Sequence, residues 1–250
     1  MMKKLTKEDS SQEVFDLYDN YAHTKIEKRR FVEKLSLLAI GILTVPCLLS
    51  FMKPNYLDSI IIKPSDAKLK SDYITYKFPK VGGEIKVLLS QPTGAKKKLS
   101  GIIVEHKNRG LSPYIEYVGR RAAVEGCITL APDVLSPVGG YPGNDDDDDG
   151  RELQKKTSHI EMLEDVIGAY EYLKFYDHCN GHLGLVAFCF NDWPTYEATL
   201  KKNKLKNTAF IDLLVNHSFH NNTTPRYDDV AAKESWTQTI EFFKKKLINN

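Results

Sequence analysis

Cysteine is scarce: four residues in 250, too few for the dense bridging that holds small secreted domains together. A surplus of charge of one sign is also missing. Lys and Arg number 35 against 33 Asp and Glu, a net charge of +2, which gives no electrostatic basis for nucleic-acid binding. Compositional bias is absent: 42% hydrophobic and 27% charged residues exclude a disordered, collagen-like or coiled-coil chain. Metal-ligand spacing is lacking as well. Cys47, Cys127 and Cys179, and His159, His178 and His182, have no partners at ligating intervals, so neither a metal nor a cofactor is expected. The run Asp145–Asp149 has Lys156 where a calcium loop needs a bidentate Glu, so it reads as a solvated loop.

Long apolar runs are rare, with one exception. The stretch LSLLAIGILTVPCLLSFM, residues 35–52, carries no charge and follows a basic cluster of Lys25, Lys28, Arg29, Arg30 and Lys34. That order predicts an export signal or a membrane anchor, with membrane contact through residues 35–52. KRRFVEK resembles a twin-arginine signal. No A-x-A site follows, Thr44-Val45-Pro46 precedes Cys47, and Pro46 interrupts the run. The expected location is therefore exported, periplasmic or membrane-anchored, against the alternative of a cytoplasmic chain whose helix packs on protein. The domain reading is a leader over 1–54, a Pro- and Asp-punctuated linker over 55–72, and an α/β domain over 73–250.

From Tyr73 onward, short apolar runs alternate with amphipathic stretches. Strands are expected over Tyr73–Phe78 and Glu84–Ser90, joined at Gly82-Gly83, then over Gly101–Glu105, Ile128–Ala131, His182–Phe188 and Ala209–Val215. Helices are expected over Pro113–Glu125, Thr157–Tyr176, Trp193–Lys202 and Tyr227–Leu247. This alternation predicts an α/β fold with a mostly parallel sheet and helices on both faces. Chemistry in such sheets gathers at the carboxyl ends of the strands. Three ends carry reactive residues: Glu105 to Gly110, Ala187 to Asp192, and Asn216 to Asn221. The order is a Cys and then a His.

The passages HKNRGLSPYIEYVGRRAA, LAPDVLSPVGGYPGNDD, GRELQKK, EMLEDVIGAYEYLK, GLVAFCF, NHSFHNNTTPRYDD and TIEFFKKKL resemble the dienelactone hydrolase family of α/β-hydrolases. EVFDLYDNYAH and FVEKLSLLAIG look like leaders of some relatives. The resemblance implies an esterase or lactonase acting on a small-molecule substrate. Cys189 would be the nucleophile on a strand-to-helix elbow and His217 the general base. The backbone N–H groups of Phe190 and Asn108 would form the oxyanion hole, and Lys107, His106 and Arg109 would line the pocket.

Four departures from the family pattern bear on activity. Ala187 and Asn191-Asp192 replace the elbow glycines. Lys107 replaces a Glu, which would favour the Cys189 thiolate. Asn221 stands near the place of an expected Arg. Phe190 runs almost directly into Trp193, which implies that the segment bearing two strands and the triad Asp is missing. Asp192, Asp212, Asp228 and Asp229 are candidate substitutes by sequence proximity. The alternative function is therefore a shortened, inactive homologue or binding protein, because the triad acid orients the His and stabilises its charged form.

Overall fold

The computed structural model describes residues 5–23, 25–40, 43–56, 60–78, 83–106, 109–143, 147–187, 197–198, 201 and 215–248. They fall into two compact units, one of residues 1–55 with 189–235 and the other of 56–188 with 236–250.

In the first unit the N-terminal segment forms α1 (Gln12–Ala22), α2 (Lys28–Leu38) and α3 (Val45–Met52). Each buries a stripe at helical spacing: Val14, Phe15, Tyr18 and Ala22, then Phe31 and Leu35, then Leu48 and Met52. Full burial of such side chains contributes about 1.5–3 kcal/mol apiece. Tyr21 stacks on Phe31 with centroids 4.4 Å apart.

This packing corrects the expectation of a membrane-anchored chain with membrane contact through residues 35–52. The apolar run is not one helix. Its first residues finish α2, and Pro46 sits in the first turn of α3, where no backbone N–H is needed for the helix. Thr44 caps that turn by accepting from Cys47 N–H at 3.4 Å. Leu35, Leu48 and Met52 are buried against protein. Among the described residues, no helix is long and apolar enough to cross a membrane.

The second unit is built on a five-stranded sheet of β1 (Leu69–Phe78), β2 (Gly83–Pro92), β3 (Leu99–Glu105), β4 (Ile128–Pro132) and β5 (Cys179–Ala187). The spatial order is β1-β2-β4-β3-β5. β1 runs antiparallel to β2 along Leu69↔Pro92 to Phe78↔Gly83, and β2 is antiparallel to β4. Only β3 with β4 and β3 with β5 are parallel. The sheet is therefore mixed, which corrects the mostly parallel expectation. The long hairpin pairing, together with β2 lying against β4, supplies more antiparallel register than the βαβ units supply parallel register. The expected strand Ala209–Val215 but for its last residue, and most of the helix Trp193–Lys202, lie outside the described residues, as does the join between Phe190 and Trp193.

Helices cover both faces. α4 (Pro113–Val124) packs Tyr114, Tyr117, Val118 and Ala122 with Leu88, Ile102, Val104 and Ala131. α6 (His159–Lys174) packs Met162, Val166, Ala169 and Leu173 with Val87, Leu89, Ile103 and Leu130. Adjacent strand residues thus bury on opposite sides, as the pleat requires. α6 starts with a reciprocal cap, Ser158 accepting from Glu161 N–H at 3.2 Å and Glu161 from Ser158 N–H at 2.7 Å. α5 (Asp147–Gln154) contains the end of the Asp run, and Asp148 there pairs with the buried Arg151. That part of the run is helix rather than loop.

α7 (Asp229–Phe243) and a π-helical turn over Lys244–Ile248 close the chain. Gly184 of β5 admits α7 and this turn. A Cβ there would lie 2.7 Å from Phe243 and 2.9 Å from Leu247. Arg121 lies over the Trp236 ring at 4.0 Å. Cys127 is buried in the core, where desolvation, reinforced by Glu125 and opposed by Lys244, pushes its thiol up to about 11.

Candidate active site

In the second unit the carboxyl ends of β3 and β4 are tied together by two buried side chains, His106 and Asp133. Asp133 follows β4 directly, and its carboxylate accepts from the N–H groups of Leu111 and Leu135 at 3.3 Å and of Tyr141 at 2.6 Å. His106 Nε2 accepts from Val134 N–H at 3.0 Å and lies 3.4 Å from Asp133 Oδ1. Burial works to raise the Asp133 pKa. The polar contact with His106, then the N–H groups of Tyr141 and Leu135, outweigh it and hold the carboxyl below its ordinary range. His106 therefore shapes the loop after β3 as a fixed part of its frame. Arg109, half-buried on that loop, is approached closely by α5: a Cβ on Gly150 would come within 2.8 Å of the Arg109 backbone.

Behind this frame Asp165 of α6 is fully buried, and neither carboxylate oxygen has a hydrogen-bond partner among the described residues. Desolvation first, then repulsion from Glu161 and Glu164 against the opposing influence of His106, pushes its pKa up to about 7. Lys107 and Asn108, and likewise Cys189 and Phe190, lie outside the described residues.

In the first unit His217 sits in a loop of successive turns, closed by N–H to O=C bonds from Phe219 to Asn216 at 3.0 Å and from Asn221 to Ser218 at 2.9 Å. Ser218, directly after His217, has φ of 68°, a left-handed conformation costly for a residue with a Cβ. Asn221, which stands where the resemblance implies an Arg, accepts from Thr223 N–H at 3.1 Å and Thr223 Oγ at 2.7 Å. It builds the loop.

The His217 ring meets the His23 ring edge-on, with centroids 4.5 Å apart. Asp19 completes the group: one ligand-capable atom from each of Asp19, His23 and His217 lies within 4.8 Å of the others. Asp19 and His23 are i and i+4 on α1 and its C-cap, hence on one face. His23 Nδ1 lies 2.8 Å from the Asp19 carbonyl oxygen, and the buried Arg226 pairs with the Asp19 carboxylate.

Of the sequence candidates for a substitute acid, Asp192 and Asp212 lie outside the described residues. Asp228 accepts from Ala231 N–H at 3.1 Å and so caps α7. Asp229 engages Lys233 at 2.6 Å and Tyr227 at 3.0 Å, and these bonds hold it below the ordinary carboxylate range. The carboxylate beside His217 comes instead from α1. No local signal could have found it, because helical spacing links Asp19 only to His23.

Comparison with known proteins bears on this architecture. The family described as Dienelactone hydrolase family matches residues 85–211, and a YqhI-like family matches residues 2–39. YghX of Escherichia coli (strain K12), named as a hydrolase fragment, is 46% identical over 115 residues, covering 46% of this chain and 97% of the relative. Among solved structures, a candidate dienelactone hydrolase from Klebsiella pneumoniae subsp. pneumoniae superposes with a TM-score of 0.58 at 15% identity, over 70% of this chain and 98% of that one. The dienelactone hydrolase-like promiscuous phosphotriesterase P91 from metagenomic libraries gives 0.58 at 12% identity, over 72% and 100%. At such identities the structural likeness speaks to fold alone. The family match spans just over half of the sequence, and the chain belongs to the dienelactone hydrolase family.

Proposed function

We propose that the chain hydrolyses small esters or lactones through Cys189 and His217. The Cys189 thiolate attacks the carbonyl carbon, and the oxyanion so formed takes the backbone N–H groups of Phe190 and Asn108. Collapse expels the alcohol oxygen, which His217 protonates, and leaves an acyl-enzyme. Water then attacks the thioester with His217 as base and frees the acid and the thiol. The resemblance would make Lys107, His106 and Arg109 pocket residues. These roles are the ones the resemblance implies.

The observation that carries the reading is a carboxylate beside the proposed base, with Asp19 and His217 offering polar atoms within 4.8 Å. A charge at that distance favours the imidazolium that forms as the Cys loses its proton, by up to a few kcal/mol at an effective dielectric near 20. Arg226, paired with Asp19, reduces that support. The Arg226–Asp19 pair is what favours the second reading, an inactive homologue.

Hydrolysis of p-nitrophenyl acetate by the full chain, Cys189→Ala and Asp19→Asn separates the two. Cys189→Ala is expected to fall to the uncatalysed background. Asp19→Asn, which keeps a hydrogen-bonding group for Arg226, is expected to lower kcat about tenfold, the equivalent of ~1.4 kcal/mol, with KM little changed. Equal rates for the parent chain and Cys189→Ala would establish the inactive homologue.

A further inference from the structure

We propose that Asp19, His23 and His217 form a binding site for a divalent transition cation of the zinc type. The sequence shows no ligand spacing for such a site, because its members meet only in the fold.

The donor set is one carboxylate oxygen and two imidazole nitrogens. It suits the borderline-soft ions of the zinc type and does not suit calcium or magnesium, which take oxygen ligands. The two residues on α1 and its cap share a helix face, and His217 arrives edge-on to His23. Outer-sphere contacts are in place for both α1 ligands. His23 Nδ1, at 2.8 Å from the Asp19 carbonyl oxygen, carries the proton in that bond, which makes Nε2 the coordinating nitrogen. Such a partner is what orients metal-binding imidazoles. Arg226 fixes the Asp19 carboxylate, and its charge sets the affinity below that of a closed structural site.

Two ligand atoms on a tetrahedral ion, each at ~2.1 Å, lie ~3.4 Å apart. The three side chains need to close from within 4.8 Å, and all three residues are only half-buried, which leaves their rotamers room to do so. Three protein ligands leave the fourth position to water.

A consequence rests on the proposed function. An ion coordinated to His217 takes the lone pair that a general base needs, so metal would arrest hydrolysis rather than assist it. The binding claim does not depend on that reading.

The test is zinc binding to the full chain, measured by calorimetry and by equilibrium dialysis with metal analysis. One equivalent is expected, in the parent chain and in Cys189→Ala alike. His23→Gln, which leaves the Asp19–Arg226 pair in place, is expected to weaken binding by at least the ~10–100-fold that loss of a mere outer-sphere partner costs. A His178→Ala/His182→Ala double variant is expected to bind as the parent does. Nitrogen-15 spectra of histidine-labelled parent chain need no variant. Zinc is expected to shift two of the seven imidazole signals, those of His23 and His217. Absence of stoichiometric binding, binding unchanged in His23→Gln, or zinc shifts confined to other histidines would overturn the site. Zinc binding in a chain that hydrolyses nothing would overturn the proposed function and leave the site standing.

Discussion

Asp165 carries the residue-scale consequence that is easiest to measure. Its pKa stands at about 7 in the folded chain against ~3.9 for an unfolded Asp. Between these values the folded state holds a proton that the unfolded state has released. Stability on this account falls as pH rises from about 4 to about 7, and the full penalty is present above that. Asp165→Asn removes the ionisation while keeping the shape. Its stability relative to the parent is expected to improve by roughly 2–4 kcal/mol between pH 4.5 and pH 8, read from urea unfolding at the two pH values. A difference that does not change with pH would count against it. Asp133, depressed rather than raised, has the opposite sign and cancels from this comparison because both chains contain it. None of this was legible in the sequence. Asp165 stands in a helical stretch whose pattern marks Ile160, Leu163 and Ile167 as the apolar face, yet Ile160 is 74% exposed and Asp165 is buried. The helix is rotated from its hydrophobic pattern so that Met162, Val166 and Ala169 meet the sheet.

At the scale of elements, the strands and helices between Tyr73 and Ala187 were largely legible, since turn residues and apolar periodicity are local signals. The direction of strand pairing was not, because alternation of strand and helix does not say how the leading hairpin joins the sheet. The N-terminal segment was read as helical, but its division into three helices was not legible, because charge and hydropathy alone present Leu35–Met52 as a continuous run, while Pro46 marks a helix start within it. Elements pack closely at Gly184, where β5 meets α7 without a side chain between them. Gly184→Val forces the Phe243 and Leu247 side chains aside and is expected to cost ~1–3 kcal/mol, seen as a lower urea midpoint with an unchanged slope.

For the whole molecule, connectivity matters more than size. The chain starts in one unit, builds the sheet of the other, returns to the first for the segment that contains His217, and ends in the second. α7 begins in one unit and finishes in the other. Neither unit is a contiguous length of chain, so neither can be lost alone without breaking that helix. Unfolding in urea is expected to be one transition, coincident by far-ultraviolet circular dichroism and tryptophan fluorescence. Two separated transitions would show that the units are independent. The Cys and the base of the candidate site were marked by their places at strand ends and given their roles by the resemblance. The carboxylate was invisible to sequence reasoning because its nearest charged partner, Arg226, is 207 positions away.

That separation has a meaning in time. The core of α1, α2 and α3 is made of residues 14–52 and can form as soon as they leave the ribosome. Arg226 follows Asp19 by 207 residues, which at ~5–20 residues per second is about 10–40 s of synthesis. Through that interval Asp19 waits in water, and His23 has only the helix behind it. The loop that brings both His217 and Arg226 then docks as a late event on a surface already made, so each nascent chain passes through a stage with the N-terminal helices formed and no base beside them.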